Sequence, residues 1–183
     1  MHFIGDLHQP LHVEDFERGG NEIHACFGTP PCGDIKKHNL HHVWDTEIPH
    51  KICGLKTVAK PEQEKEAAQE WASRLVAEQR AGGVVAAAEC ADVANPDICS
   101  LAWAGEVNKC ICSAVLKPLA SNSVEWYEET DLSKAYYTTT APLVEYLIGT
   151  AGVRLAAWLE AMVAQTQGPT TPAPQQVLGN VEL

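Results

Sequence analysis

The chain has 183 residues, with 13 Lys+Arg against 24 Asp+Glu and a formal net charge of −11; 45% of residues are hydrophobic and 20% charged. This is the composition of one ordinary globular domain, and it argues against a wholly disordered chain and against charge-driven binding of a nucleic-acid backbone on a basic face. No unbroken run of about 20 apolar residues occurs, so no membrane-spanning segment is expected.

The N-terminus, from His2, opens inside an amphipathic element with no signal-peptide pattern, and we expect the chain to lack the N-terminal part of a longer domain. Residues 2–9 read as a short helix ended by Pro10. Arg18-Gly19-Gly20-Asn21 reads as a turn, because two glycines and an Asn tolerate positive φ. Asn21 to Asp34 reads as loop or small hairpin, and Cys26 and Cys32 flank a turn-rich stretch that a local disulfide could staple. Asn39 suits the N-cap of a second helix from Leu40 to about Ile48, stopped by Pro49. A third helix runs from about Pro61 to Ala81, with Gly82-Gly83 as its C-cap; Trp71 and Leu75 face inward, while Glu62, Glu64 and Lys65 face out. Asp97 can cap a fourth helix with Ile98, Leu101 and Ala102 at core spacing. Thr140 can cap a fifth, along which Leu143, Leu147, Ala151, Leu155, Leu159 and Met162 recur every three or four residues. From Gly168 to residue 183 a Pro/Thr-rich stretch reads as a disordered tail, leaving a domain at 1–167. No strong strand alternation appears. The fold class expected is all-α, with a loop-rich N-terminal third.

Seven cysteines in a chain of this size point to an oxidising compartment. All eight histidines lie within residues 1–50, where uniform placement would put about two. His2 and Asp6 are four apart, which on a helix places them on one face, one turn from each other. His41 and Asp45 repeat that spacing on the second helix, and His12 follows the helix-breaking Pro10, so the chain can turn it back toward the same place. Imidazole nitrogen and carboxylate oxygen in this pattern suit zinc. Five candidates are awkward for one ion and too few for two. His8, His38 and His50 read as surface residues, His42 as a packing neighbour, Trp44 as core, and Glu14, Asp15 and Glu17 as a solvated charge run.

The segments 2–12 (HFIGDLHQPLH), 15–21 (DFERGGN) and 39–46 (NLHHVWDT) resemble, in order and spacing, the central zinc motifs of the S1/P1 nuclease family; Trp103-Ala104-Gly105-Glu106 and residues 151–156 (AGVRLA) are similar to that family's later helices. The resemblance covers about residues 2–160. It implies the all-α phospholipase C/P1 nuclease-like helical bundle with three zinc ions in a cleft, its N-terminal part missing here, and a loop-rich or small-hairpin insertion near 18–38. By the resemblance His2 and Asp6 bind the first zinc of a pair, Asp6 bridges to the second, and His12, His41 and Asp45 hold the third ion. Asn21 and Thr46 are the expected substrate-binding residues, although related chains place an Asn at the position of Thr46. The family's N-terminal Trp and transition-state Arg have no counterpart in this chain. The resemblance also implies a disulfide from the missing half to the region of Cys110–Cys112.

The activity implied is that of a secreted, monomeric, zinc-dependent endonuclease that hydrolyses single-stranded DNA and RNA to 5′-phosphates. In that scheme a zinc pair supplies hydroxide near neutral pH, and the third zinc stabilises charge on phosphate oxygens. The rival expectations are a zinc-dependent phospholipase C with the same fold, and a non-catalytic fragment that binds zinc without turnover. The 183-residue chain alone is expected to be inactive and to leave apolar helix faces uncovered.

Overall fold

The computed structural model describes residues 2–56, 58–81 and 90–167. The expected C-cap at Gly82-Gly83 and the expected tail at 168–183 lie outside the described residues. Among those described the fold is all-α, with two isolated β-bridges and no strand.

Helix α1 (His2–Asp6) is followed by a turn and a 3-10 helix, Pro10–Val13. Gln9 caps the latter, its Oε1 accepting from Leu11 N at 2.6 Å. The turn expected at 18–21 begins one residue earlier. Glu17, Arg18, Gly19 and Gly20 all have positive φ, whereas Asn21 is right-handed at φ −70°. The expected loop or hairpin between residues 18 and 38 is a loop, closed at its base by an antiparallel bridge between His24 and Asn39. The Cys26–Cys32 disulfide staples it as expected, and a bridge from Cys26 to Asp131 ties it to the body.

The second helical run, α2, is built of Leu40–His42, a π turn at Val43–Glu47 and Ile48–Ile52. Asn39 caps it, its side chain accepting from His42 N at 2.8 Å. Pro49 does not stop the run, contrary to expectation. The π turn shifts the backbone pairing to i→i−5, with Ile48 N bonded to Val43 O, and a proline that would clash with its i−4 carbonyl in a regular helix is accommodated there.

Helix α3 (Pro61–Arg80) lies on the surface with Trp71 and Leu75 turned inward, as expected. Helix α4 (Pro96–Cys110) runs into a second π turn, Ile111–Val115. Its buried face is Cys99, Trp103 and Val107; Ile98 and Leu101, expected in the core, are 56% and 72% exposed. Asp97 lies inside this helix, and Asn95 flanks it without a side-chain cap. A disulfide joins Cys90 to Cys99. After the short α5 (Trp126–Glu129) comes the 33-residue helix α6 (Ala135–Gln167). It starts before Thr140, which is no cap: its hydroxyl donates to the Tyr136 carbonyl one turn back. The stripe of α6 that is buried holds Thr140, Val144, Leu147, Thr150 and Arg154, while Leu159 and Met162 are half exposed. The expectation that no segment could cross a bilayer needs correcting, since Ala135–Thr166 is long and apolar enough by length and composition. Here it contacts α1, α2 and α3.

The core gathers Leu11, Ile23, Leu40, Trp44, Ile48 and Leu132 with residues of α6. At its centre the Trp44 indole N–H donates to the Tyr136 hydroxyl (2.9 Å), and the Tyr136 and Tyr127 hydroxyls both donate to the Val115 carbonyl, at 2.9 and 2.8 Å. That carbonyl ends the π turn of α4 and would be unpaired without the two tyrosines. These bonds pin α2, α4 and α6 together at the depth where a polar group must be satisfied.

Candidate metal centre

The five residues singled out by spacing lie in one chain of contacts. His2 Nε2 is 3.8 Å from Asp6 Oδ1, which is 3.0 Å from His12 Nδ1. His12 Nε2 is 3.2 Å from Asp45 Oδ1, and His41 Nε2 is 3.2 Å from Asp45 Oδ2. The inner three, His12, His41 and Asp45, can each offer one donor atom such that all lie within 4.8 Å of one another. The two imidazoles stack with centroids 4.9 Å apart. His2 is farther out, its side chain 84% exposed.

Each imidazole of the inner group is held from behind. His41 Nδ1 donates to the Gly19 carbonyl at 2.8 Å, and His12 Nδ1 faces the Asp6 carbonyl at 3.1 Å. A ring whose Nδ1 is engaged in this way presents Nε2 forward, the arrangement usual for metal-binding histidines. The left-handed turn at 17–20 is what brings the Gly19 carbonyl to His41. Asp45 comes from the π turn of α2, and Gln9 Nε2 donates to its Oδ1 at 3.0 Å. Two imidazole nitrogens and a carboxylate, with their outer atoms engaged by backbone carbonyls and an amide, form a donor set that fits zinc.

The electrostatics reflect this geometry. Burial pushes the Asp45 carboxyl up, but hydrogen bonds from His12, His41 and Gln9 outweigh it and hold the group well below the usual carboxylate range. The bond to Asp45 raises His12 and His41 above the ordinary imidazole value, against the opposing effect of burial.

A cleft of about 380 Å³ opens beside these groups. Its lining combines His2, Asp6, His12 and Asp45 with the apolar side chains of Trp44, Pro49, Leu147 and Ile148. Asn21 and Thr46 do not line it. Asn21 is exposed, and its amide donates to the Arg18 carbonyl at 2.9 Å, closing the left-handed turn.

Several residues that support the site were not expected. His8, read as a surface residue, is 4% exposed, and burial pushes its imidazole below the ordinary value. It accepts from Arg154, which is 1% exposed and also bonds Glu106, so residues of the segments 2–12, 103–106 and 151–156 meet in one buried contact. Glu14 is not merely solvated. It accepts from Phe16 N and Asn108 Nδ2, and these bonds lower its carboxyl. Asn108 also donates to the Val13 carbonyl at 2.8 Å, tying α4 to the segment that carries His12. His50 is half-buried and paired with Glu64 at 3.4 Å, and His38 is half-buried.

The chain matches the family described as S1/P1 Nuclease over residues 1–164. It is 34% identical over 169 residues to Nuclease S1 of Aspergillus oryzae, covering 90% of this chain and 53% of that protein. It is 31% identical over 163 residues to Nuclease P1 of Penicillium citrinum, covering 87% and 54%. To Endonuclease 2 of Arabidopsis thaliana it is 29% identical over 168 residues, covering 86% and 48%. The chain spans about half the length of the curated relatives it matches.

Proposed function

The chain belongs to the S1/P1 nuclease family, and from that premise we propose that it is part of a secreted, monomeric zinc-dependent endonuclease that cleaves single-stranded DNA and RNA to 5′-phosphate products, with residues 1–167 as its contribution to the catalytic domain. The observation that carries the reading is the meeting of His12, from the 3-10 turn, with His41 and Asp45 of α2, with Asp6 and His2 continuing the same chain of contacts. Relatives named as nucleases and endonucleases support the reaction class over the phospholipase alternative. The disulfides Cys26–Cys32 and Cys90–Cys99 support an oxidising compartment.

In this reading His12, His41 and Asp45 hold one Zn²⁺, and His2 and Asp6 contribute to an adjacent pair. Zinc bound there supplies positive charge for phosphoryl oxygens and a water acidic enough to ionise near neutral pH. The chain's own part is placement. The Gly19 and Asp6 carbonyls fix the two imidazole rings, Gln9 fixes the Asp45 carboxylate, and Trp44 and Leu147 give the cleft apolar surface beside them. An unpaired base can stack in such a cleft, whereas a base inside a duplex cannot leave its partner without cost. Divalent charge also offsets the repulsion between a −11 chain and a polyanion.

The test is to incubate the complete protein with a single-stranded oligonucleotide, remove metal with a chelator and restore Zn²⁺. Cleavage is expected to stop and return, leaving 5′-phosphate ends. Chelator-resistant cleavage, or hydrolysis of lecithin without cleavage of the oligonucleotide, overturns the proposal.

A further inference from the structure

Helix α1 has five residues and buries none of them. That is far below the length at which a helix holds itself together in water, yet α1 carries both His2 and Asp6. It is held by its contact with α6 and by the turn immediately after it. His8 Nδ1 donates back to the Ile4 carbonyl at 2.6 Å, and His8 Nε2 lies 2.9 Å from Arg154 Nη1. A guanidinium can only donate, so Nε2 is bare and the ring proton sits on Nδ1. Arg154 reaches this position from α6, buried among protein atoms, with its second amino group on Glu106 of α4 and its guanidinium 5.4 Å from the Trp103 ring centroid. A leucine could fill that space. What the guanidinium adds is a rigid fork that holds two other elements at once.

We propose that Arg154 and His8 are positioning residues for the metal centre: the bond between them clamps α1 from behind, so that Asp6, and His2 with it, faces the His12–His41–Asp45 group. The inference rests on the metal-binding reading of that group. His41 and Asp45 have anchors of their own in the Gly19 carbonyl, Gln9 and the Asn39 cap, and the backbone at His12 is held by the Gln9 carbonyl and, through Val13, by Asn108. Loss of the clamp therefore divides the site. The inner three stay on these holds, with His12 losing only the Asp6 carbonyl behind its ring, and Asp6 and His2 drift.

The test uses Arg154→Leu, His8→Leu and His8→Asn in the complete protein. The readouts are amide hydrogen exchange and titration with Zn²⁺ and with Co²⁺, whose visible absorption reports coordination. In both leucine variants, exchange across residues 2–8 is expected to accelerate while residues 40–52 keep their protection. Affinity for the ions that need Asp6 is expected to fall roughly 10- to 100-fold, the usual scale for a supporting residue, with the remaining Co²⁺ absorption intact. His8→Asn is expected to restore both readouts, because its amide can accept from Arg154 and donate to Ile4. Exchange that rises uniformly across the chain, metal titrations unchanged from the wild type, or His8→Asn behaving like His8→Leu would each overturn the proposal. If Arg154→Leu does not fold, the two His8 variants decide the matter. A wild-type protein that takes up neither ion refutes the metal reading itself, which is distinct from a wild type that binds with variants unchanged.

Discussion

Replacing Gly19 with alanine asks whether the left-handed turn exists to deliver one carbonyl. Gly19 has φ +61°, and an added Cβ would lie 2.5 Å from the Leu11 carbonyl oxygen and 3.2 Å from that of Glu14. Both obstacles are backbone, so neither can swing aside. The left-handed conformation costs alanine about 1–2 kcal/mol, and relieving the contact adds strain for a total of about 2–4 kcal/mol. The displacement moves the Gly19 oxygen away from His41 Nδ1, now 2.8 Å distant. If His41 binds metal as proposed, losing the bond that orients its ring should lower Zn²⁺ affinity by roughly 10- to 100-fold. Urea unfolding reads the first effect and Zn²⁺ titration the second. Gly20→Ala is the control. Its φ is +79°, but the added carbon presses only on the Leu11 side chain, at 3.2 and 3.3 Å, and touches the His41 backbone nitrogen at an ordinary 3.4 Å, so it should lose stability while keeping most of its metal affinity. A Gly19→Ala protein that binds Zn²⁺ as tightly as the wild type would refute the orienting role of that carbonyl.

Asp45→Asn should weaken Zn²⁺ binding further than any supporting residue does, because it removes the charge shared by His12 and His41; equilibrium dialysis of the variant measures this. Burial raises the Tyr127 and Tyr136 hydroxyls far above the usual phenol range. Their folded pKa values exceed the unfolded value of about 10, so their contribution to stability is complete below that pH and is lost as pH rises beyond it. A spectrophotometric titration should show these two tyrosines ionising only as the helical circular dichroism disappears. Among the free thiols, burial raises Cys53 and Cys110, while Cys112 is exposed. Iodoacetamide at mildly alkaline pH should label Cys112 first, as read by peptide mass mapping.

What the sequence reveals about the site is tied to residue type and spacing. The His-x-x-x-Asp pairs at 2/6 and 41/45 need only a helical turn to converge, and helices form at both places. Asn39 and the Cys26–Cys32 staple are likewise local devices, legible from a few neighbours. What stays hidden depends on distant partners. His8 and Arg154 are 146 residues apart, and nothing near either announces a buried pair. On α4, Ile98 and Leu101 are as apolar as the face that is buried, and only the position of the turn at His8 and of α6 decides for Trp103. Pro49 signals a stop in a regular helix, and the π turn before it removes the reason to stop.

That π turn also stores one residue more than a regular helix needs. Its five residues sweep nearly the arc that about four sweep on an α-helix, so Ile48 faces the interior as it would without the insertion. Deleting one residue between 43 and 47 would therefore leave residues 48–52 facing much as they do, but Pro49 would meet the carbonyl four residues before it and strain the cleft lining to which it belongs. A change in chain length at this point acts through the proline rather than through His41 or Asp45.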